Sequence, residues 1–173
     1  DVLTGKENPS GKLPDTWALD YFDHPSSKNF YDANGKTRLN ADCSEYVDTV
    51  YEEGIYVGYR YFESFQKPVA YPFGYGQSYT EFIIEPHNIL FDGSFLKMQV
   101  HVKNIGEIPG KEVVQLYIGK PENGIEMPQK ELVGFEKTKL LEPGEIQDFE
   151  IIVPVEHMTF YDEKKAAYVL GAG

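Results

Sequence analysis

Alternation of apolar and polar residues dominates the second half of the chain. In "FLKMQVHVKN", Leu96, Met98, Val100 and Val102 fall on one face, while Lys97, Gln99, His101 and Lys103 fall on the other. That period of two is the signature of a half-buried strand. "KEVVQLYIGK" turns Val114, Leu116 and Ile118 inward in the same way, and "QDFEIIVPV" does so with Phe149, Ile151 and Val153. Turn words separate these runs: "FDGS", "KNIGEIPGK", "PENG" and "LEPGE". In the last, Pro143 suits the second and Gly144 the third position of a tight turn, because proline presets φ and glycine tolerates a positive one. Short strands broken by turns, with no helical period between them, predict an antiparallel β-sandwich of the immunoglobulin-like kind. Such a domain needs about 100 residues. The stretch from Phe82 falls slightly short and ends on "AAYVLGAG", an apolar strand followed by a turn, so the sandwich is expected to lack its last strand.

The first half follows different rules. Residues 1–78 are rich in Asn, Asp, Gly, Pro, Ser and aromatics, and no apolar period lasts ten residues. One short helix is predicted, around Glu53–Phe62; the rest reads as an ordered meander. A long meander is easier to accept where it covers a neighbouring domain. Within it, "YEEGIYVGYRYFESFQKPVAYPFGYGQSYTEF" is dense in rings that recur at neither helical nor strand spacing. Each such ring covers roughly 150–250 Å² with few rotatable bonds, which suits a seam between domains. Tyr56, Tyr59, Arg60, Tyr61, Phe62, Tyr71, Phe73, Tyr75 and Tyr79 are the candidate interdomain packing residues. Gly74 and Gly76 let the backbone turn among them, and Pro72 fixes its local direction. Aromatic faces also stack on pyranose rings, so carbohydrate contact stays open as the lesser alternative. Arg60, a guanidinium among rings, reads as an anchor through stacking and a carboxylate pair, ahead of a ligand contact.

Composition narrows the classes. With 173 residues the chain holds one domain or one and a half. A hydrophobic fraction of 41%, including 13 Tyr and 11 Phe, excludes disorder. The net charge of −12 argues against nucleic acid. No run of 18 apolar residues occurs, so no membrane helix is expected, and no signal peptide is visible. The lone Cys43 cannot form an internal disulfide, weakly suits a cytoplasm, and lies in no zinc-like spacing. No metal or cofactor is expected. "GYGQSY" lacks the strand–turn–helix context of a phosphate loop. His24 and His157 lie in turn-like stretches, His87 follows Pro86, and His101 falls on a polar strand face. The adjacent pair Glu52-Glu53 points to opposite faces unless helical, and is a poor candidate for a pair of cooperating acid and base carboxyls.

Five words in the chain, in order, resemble glycoside hydrolase family 3, the β-glucosidase family. "NPSGKLPDTW", "EEGIYVGYRYFE" and "VAYPFGYGQSYTEF" are similar to segments of its α/β domain and linker. "VKNIGEIPGKEVVQLYI" and "PQKELVGFEKTKLLEPGE" resemble its accompanying fibronectin type III-like module. Gln77 stands where the family usually has Leu, and Asp15 where it usually has an apolar residue; "DANGKTRLNADCSEYVDT" matches no family word. The resemblance implies that residues 1–78 are the C-terminal remnant of an α/β sandwich domain with an interdomain linker, and residues 79–173 a fibronectin type III-like sandwich. It also implies that the nucleophilic Asp of a (β/α)8 barrel, commonly in S-D-W or S-D-Y, and an acid/base Glu upstream of Gly11-Lys12-Leu13-Pro14 both lie outside this chain. No catalytic residue is therefore expected here. The expected role is to brace the catalytic domains of a retaining β-glucosidase-like enzyme, with the barrel and α/β domains as partners and a homodimer left open. The alternative is an independent carbohydrate-binding or adhesive sandwich, for which a planar row of exposed rings would be the mark.

Overall fold

The computed structural model describes residues 1–30, 52–119 and 126–171. In the first half, β1 (Trp17–Ala18) pairs antiparallel with β2 (Val69–Tyr71), and two short helices, α1 (Ser27–Phe30) and α2 (Tyr59–Ser64), lie between them in sequence. The second half carries β3 (Phe82–Phe91), β4 (Phe95–Asn104), β5 (Val113–Gly119), β6 (Lys130–Lys137), β7 (Ile146–Pro154), β8 (Thr159–Asp162) and β9 (Ala167–Leu170). Strands β3, β4 and β7 form one antiparallel sheet in that order, β5 and β6 a second, and β8 and β9 a hairpin. The protein is mainly β, as the alternation predicts.

The core lies between the two sheets. Met98, Val100 and Val102 of β4, Val114 of β5, Ile151 and Val153 of β7 and Leu141 are buried together, with Leu96, Leu116, Val133 and Phe149 packed around them. Ile118, expected inward, lies outside this cluster, because a bulge at Leu116/Tyr117 breaks the alternation of β5. Gly134 of β6 lies against Ile151 and Val153, where a Cβ would come within 2.9 and 3.1 Å of their methyls. The second sheet therefore sits over β4 and β7. Pro86 is tolerated because β3 is an edge strand, and a bulge follows it between Pro86 and Asn88.

The turns follow their residues. At the β3–β4 hairpin the Asp92 side chain accepts from the Ser94 and Phe95 N–H groups at 3.0 and 2.8 Å, and Gly93 has φ +91°. Gly144 has φ +80° and the Glu145 N–H reaches the Glu142 carbonyl at 2.9 Å, the turn foreseen for Pro143-Gly144. "PENG" and Cys43 lie outside the described residues.

One expectation shifts. The helix predicted over Glu53–Phe62 forms later, at Tyr59–Ser64, and Glu52–Ile55 is a turn. Gly58, with φ +60° and ψ −134°, breaks the backbone just before it, and the left-handed Gln66 and then Pro68 keep it short.

The outer face of the three-stranded sheet reads in rows across the strands: Ile83–Lys103–Ile146, Glu85–His101–Asp148, Asn88–Gln99–Glu150 and Leu90–Lys97–Ile152. A fifth row, Phe95–Pro154, ends this face with its one Phe, Tyr or Trp side chain, so no row of such rings forms.

Candidate functional site

The two halves meet along residues 126–132, where short side-chain contacts follow one another in order. The Tyr56 phenol lies beside the Glu126 carboxylate. The Gln129 N–H donates to Ser64 Oγ at 2.8 Å, Lys130 Nζ meets Glu63 Oε1 at 2.9 Å, and Arg60 donates to Glu131 Oε1 at 3.0 Å. The Leu132 N–H then donates to the Tyr59 hydroxyl oxygen at 2.8 Å. Helix α2 is thus tied along the start of β6 through both main-chain and side-chain groups. The ion pairs in this ladder are about one-third exposed, so their individual contributions are small and their value is in register.

Rings fill the space beside the ladder. Tyr59 stacks on Phe73 with centroids 4.4 Å apart and meets Tyr117 of β5 edge-on at 6.2 Å. Lys130 lies over the Tyr117 ring at 5.3 Å. Gly74, with φ +79°, rides directly on the Gln115 side chain, whose amide would have to shift to admit a Cβ. Burial pushes the Tyr117 phenol above its ordinary range, with the charges of Tyr59 and Glu63 adding to the effect. Desolvation, followed by the Glu126 carboxylate beside it, raises Tyr56 as well.

The other candidate residues occupy distinct positions. Tyr56 packs on Phe65, and Tyr61 on Phe62 and Phe65. Phe62 is buried against His24 at 5.2 Å. Tyr71 touches Trp17 and Tyr75. The Tyr75 hydroxyl accepts from Gln77, and the Tyr79 hydroxyl donates to the Val2 carbonyl. Tyr56, Tyr59 and Arg60 therefore approach the sandwich directly and Phe73 backs them through Tyr59, whereas Tyr61, Phe62, Tyr71 and Tyr75 pack among residues of the first half.

A second joint was missed by sequence reasoning. Asn104 is fully buried and donates to the Ile108 and Leu141 carbonyls, both at 2.9 Å. Its side-chain oxygen accepts from Thr80 at 2.7 Å and from the Gly106 N–H at 3.1 Å. Asn8 bridges from the other side: it accepts from Ser78 and the Tyr79 N–H and donates to the Pro109 carbonyl at 3.0 Å. Lys12 and Glu112, both largely buried, pair at 2.6 Å. A signal existed for Asn104: it continues the inward series Met98, Val100, Val102, and an amide at an inward position demands partners.

Chemically these are joints. Glu63, Glu112 and Glu131 are each held by a cation. Among the described residues, no three His, Cys, Asp or Glu side chains are placed to share a metal ion, and no helix is long and apolar enough to cross a membrane.

Comparison with known proteins gives this architecture a family. The Glycosyl hydrolase family 3 C-terminal domain matches residues 1–59, and the Fibronectin type III-like domain matches residues 112–173. Beta-glucosidase A of Butyrivibrio fibrisolvens is 42% identical across 99% of this chain, which covers 22% of that protein. A beta-glucosidase of Ruminococcus albus is 45% identical across 94% of the chain, which covers 16% of it. Among solved structures, beta-glucosidase 3B from Thermotoga neapolitana, in complex with alpha-D-glucose, superposes with a TM-score of 0.83 at 43% identity over 94% of this chain and 21% of its own. A beta-glucosidase from Paenibacillus barengoltzii gives a TM-score of 0.85 at 41% identity over the whole chain and 18% of its own. The chain thus spans about a fifth of the length of these relatives. It belongs to glycoside hydrolase family 3 and corresponds to the C-terminal part of the family's β-glucosidases.

Proposed function

We propose that this chain is the non-catalytic, bracing portion of a β-glucosidase-like enzyme that hydrolyses O-glycosidic bonds with retention. Residues 1–78 are the end of an α/β sandwich domain with its linker, and residues 79–173 a fibronectin type III-like sandwich. Tyr56, Tyr59, Arg60, Tyr61, Phe62, Tyr71, Phe73, Tyr75 and Tyr79 form the interdomain packing set. The reactive carboxylates lie on the barrel and α/β portions outside this chain, which are its partners.

The observation that carries this reading is the ladder from Gln129–Ser64 to Leu132–Tyr59, which ties helix α2 in register along β6. Such a joint transmits position between layers, and its acids Glu63 and Glu131 are each held by a cation. The matched family regions lie on either side of the proposed boundary. The reading that the sandwich takes one further strand has its own support. Ile84, Ile89 and Phe91 of β3 share the inner face with Val102, Met98 and Leu96, yet remain largely exposed.

The purified chain is expected to release no product from an aryl β-glucoside and to give no heat with cello-oligosaccharides in calorimetry. Turnover that follows the chain through purification would sink the proposal. Millimolar or tighter sugar binding would favour the carbohydrate-binding module instead.

A further inference from the structure

The outer face of the three-stranded sheet carries a group of titratable side chains that the joints do not use. Glu85 of β3, His101 of β4 and Asp148 of β7 form one row across the strands. The bulge between Pro86 and Asn88 leaves His87 with no partner on β4, and its ring lies against that of His101. The two imidazole centroids are 5.2 Å apart, with their planes inclined by 69°. Bulges re-aim side chains in this way, at the cost of one residue of pairing.

That spacing has a chemical meaning. A tetrahedral Zn²⁺ holds each imidazole nitrogen at about 2.0–2.1 Å, and so sets two ring centroids about 5 Å apart. His101 also has the support that a metal-bound histidine needs. Its Nδ1 is shut away from water against Asp148 Oδ1, which fixes the ring and leaves Nε2 to coordinate. A carboxylate behind the ring also raises the basicity of the ligating nitrogen. His87 is exposed and the His101 side chain is 44% exposed, so a hydrated ion can reach both. Glu85 and Asp148 flank the pair with negative charge in a chain whose net charge is −12, which favours a cation. Imidazole suits Zn²⁺, Ni²⁺ and Cu²⁺, whereas Mg²⁺ and Ca²⁺ take oxygen ligands.

We propose that His87 and His101 form a two-histidine site for a divalent transition ion of the zinc class, with Asp148 orienting His101. Among the described residues no three His, Cys, Asp or Glu side chains are placed to share a metal ion, so water completes the coordination and the ion exchanges readily. A bound ion ties the bulged stretch of edge strand β3 to β4, where the ladder is interrupted. The site stands whether or not the chain braces an enzyme.

The test adds Zn²⁺ to the metal-free 173-residue chain and follows calorimetry and the histidine ring signals in NMR. One ion is expected to bind with a Kd on the order of 10 μM, since half a ligand set gives about half the binding free energy of a four-ligand site. The ring signals of His87 and His101 should move together while those of His24 and His157 stay. Asp148→Asn is expected to weaken binding about 10-fold, and His87→Gln or His101→Gln by more. Mg²⁺ should give no heat. A Kd weaker than about 1 mM would overturn the proposal. So would binding that is fully retained when both histidines are replaced, or ring signals that move at His24 or His157 instead. Should a variant fail to fold, the ring signals of the unmodified chain decide alone.

Discussion

Val100 and Trp17 are both apolar, and water reaches only one of them. Val100 sits inside the sandwich, closed on both sides by strands that the chain itself supplies. Trp17 belongs to a two-stranded fragment with little of its own to pack against. The sandwich is stabilised by burial, which is non-directional and scales with area. The first half is held by directional contacts that tie it to the sandwich: the ladder to residues 126–132, the Asn8 bond to the Pro109 carbonyl and the Lys12–Glu112 pair. One region specifies its structure from within; the other borrows its geometry from a neighbour.

Asn104 is where that contrast is most exposed to attack. Asn104→Leu keeps the branching but strands two carbonyls, a hydroxyl and an N–H, and is expected to cost at least about 3 kcal/mol in urea unfolding. A loss below about 1 kcal/mol would mean that the Asn104 network is dispensable to the sandwich. Val100→Ala probes the burial side alone and is expected to cost about 2 kcal/mol. Gly74→Ala tests the seam: at φ +79°, with Gln115 against it, a methyl is expected to cost about 1–2 kcal/mol, and a neutral result would show that the loop is free to lift. Arg60→Ala removes one rung whose side chain is a third exposed, and should cost less than about 1 kcal/mol. A larger effect would show that the rungs act cooperatively.

The smallest expected effect is in pH. The Phe95 and Ser94 N–H groups, then Lys97, hold Asp92 below its ordinary range; Lys139 and the Glu142 N–H do the same for Glu145. A carboxyl depressed in the folded state adds stability above its unfolded pKa and loses it as pH falls through the folded one. Denaturant midpoints should therefore be level near neutrality and decline below about pH 4. Asp92→Asn should make that decline shallower, which midpoints measured across the acid range would check.

The division between the halves also explains what the sequence discloses. Strands β4 and β7 and their inward residues are readable because a half-buried strand must alternate, whatever its neighbours are. The turns at Asp92-Gly93 and Pro143-Gly144 are readable because few residues tolerate those dihedrals. Helix α2 is displaced from its expected start because Gly58, not periodicity, decides where it begins. Of the ladder, only Arg60 is singled out in sequence, as a guanidinium seeking a carboxylate; its partner Glu131, like Glu63 and Lys130, is an ordinary surface residue until two distant segments are laid side by side. Asn104 is the intermediate case, a polar residue in an apolar series whose partners only the fold could name.

The bond from Asn8 to the Pro109 carbonyl closes a loop of 101 residues. Contacts of such separation form late, since the entropy of closing the chain must be met before any reward arrives. The β3–β4 hairpin, by contrast, closes over three residues, from the Asp92 side chain to the Phe95 N–H. Asn8 is synthesised well before Pro109, so this bond waits for its far-off partner to arrive. For it the order of synthesis and the order of fastening run in opposite directions.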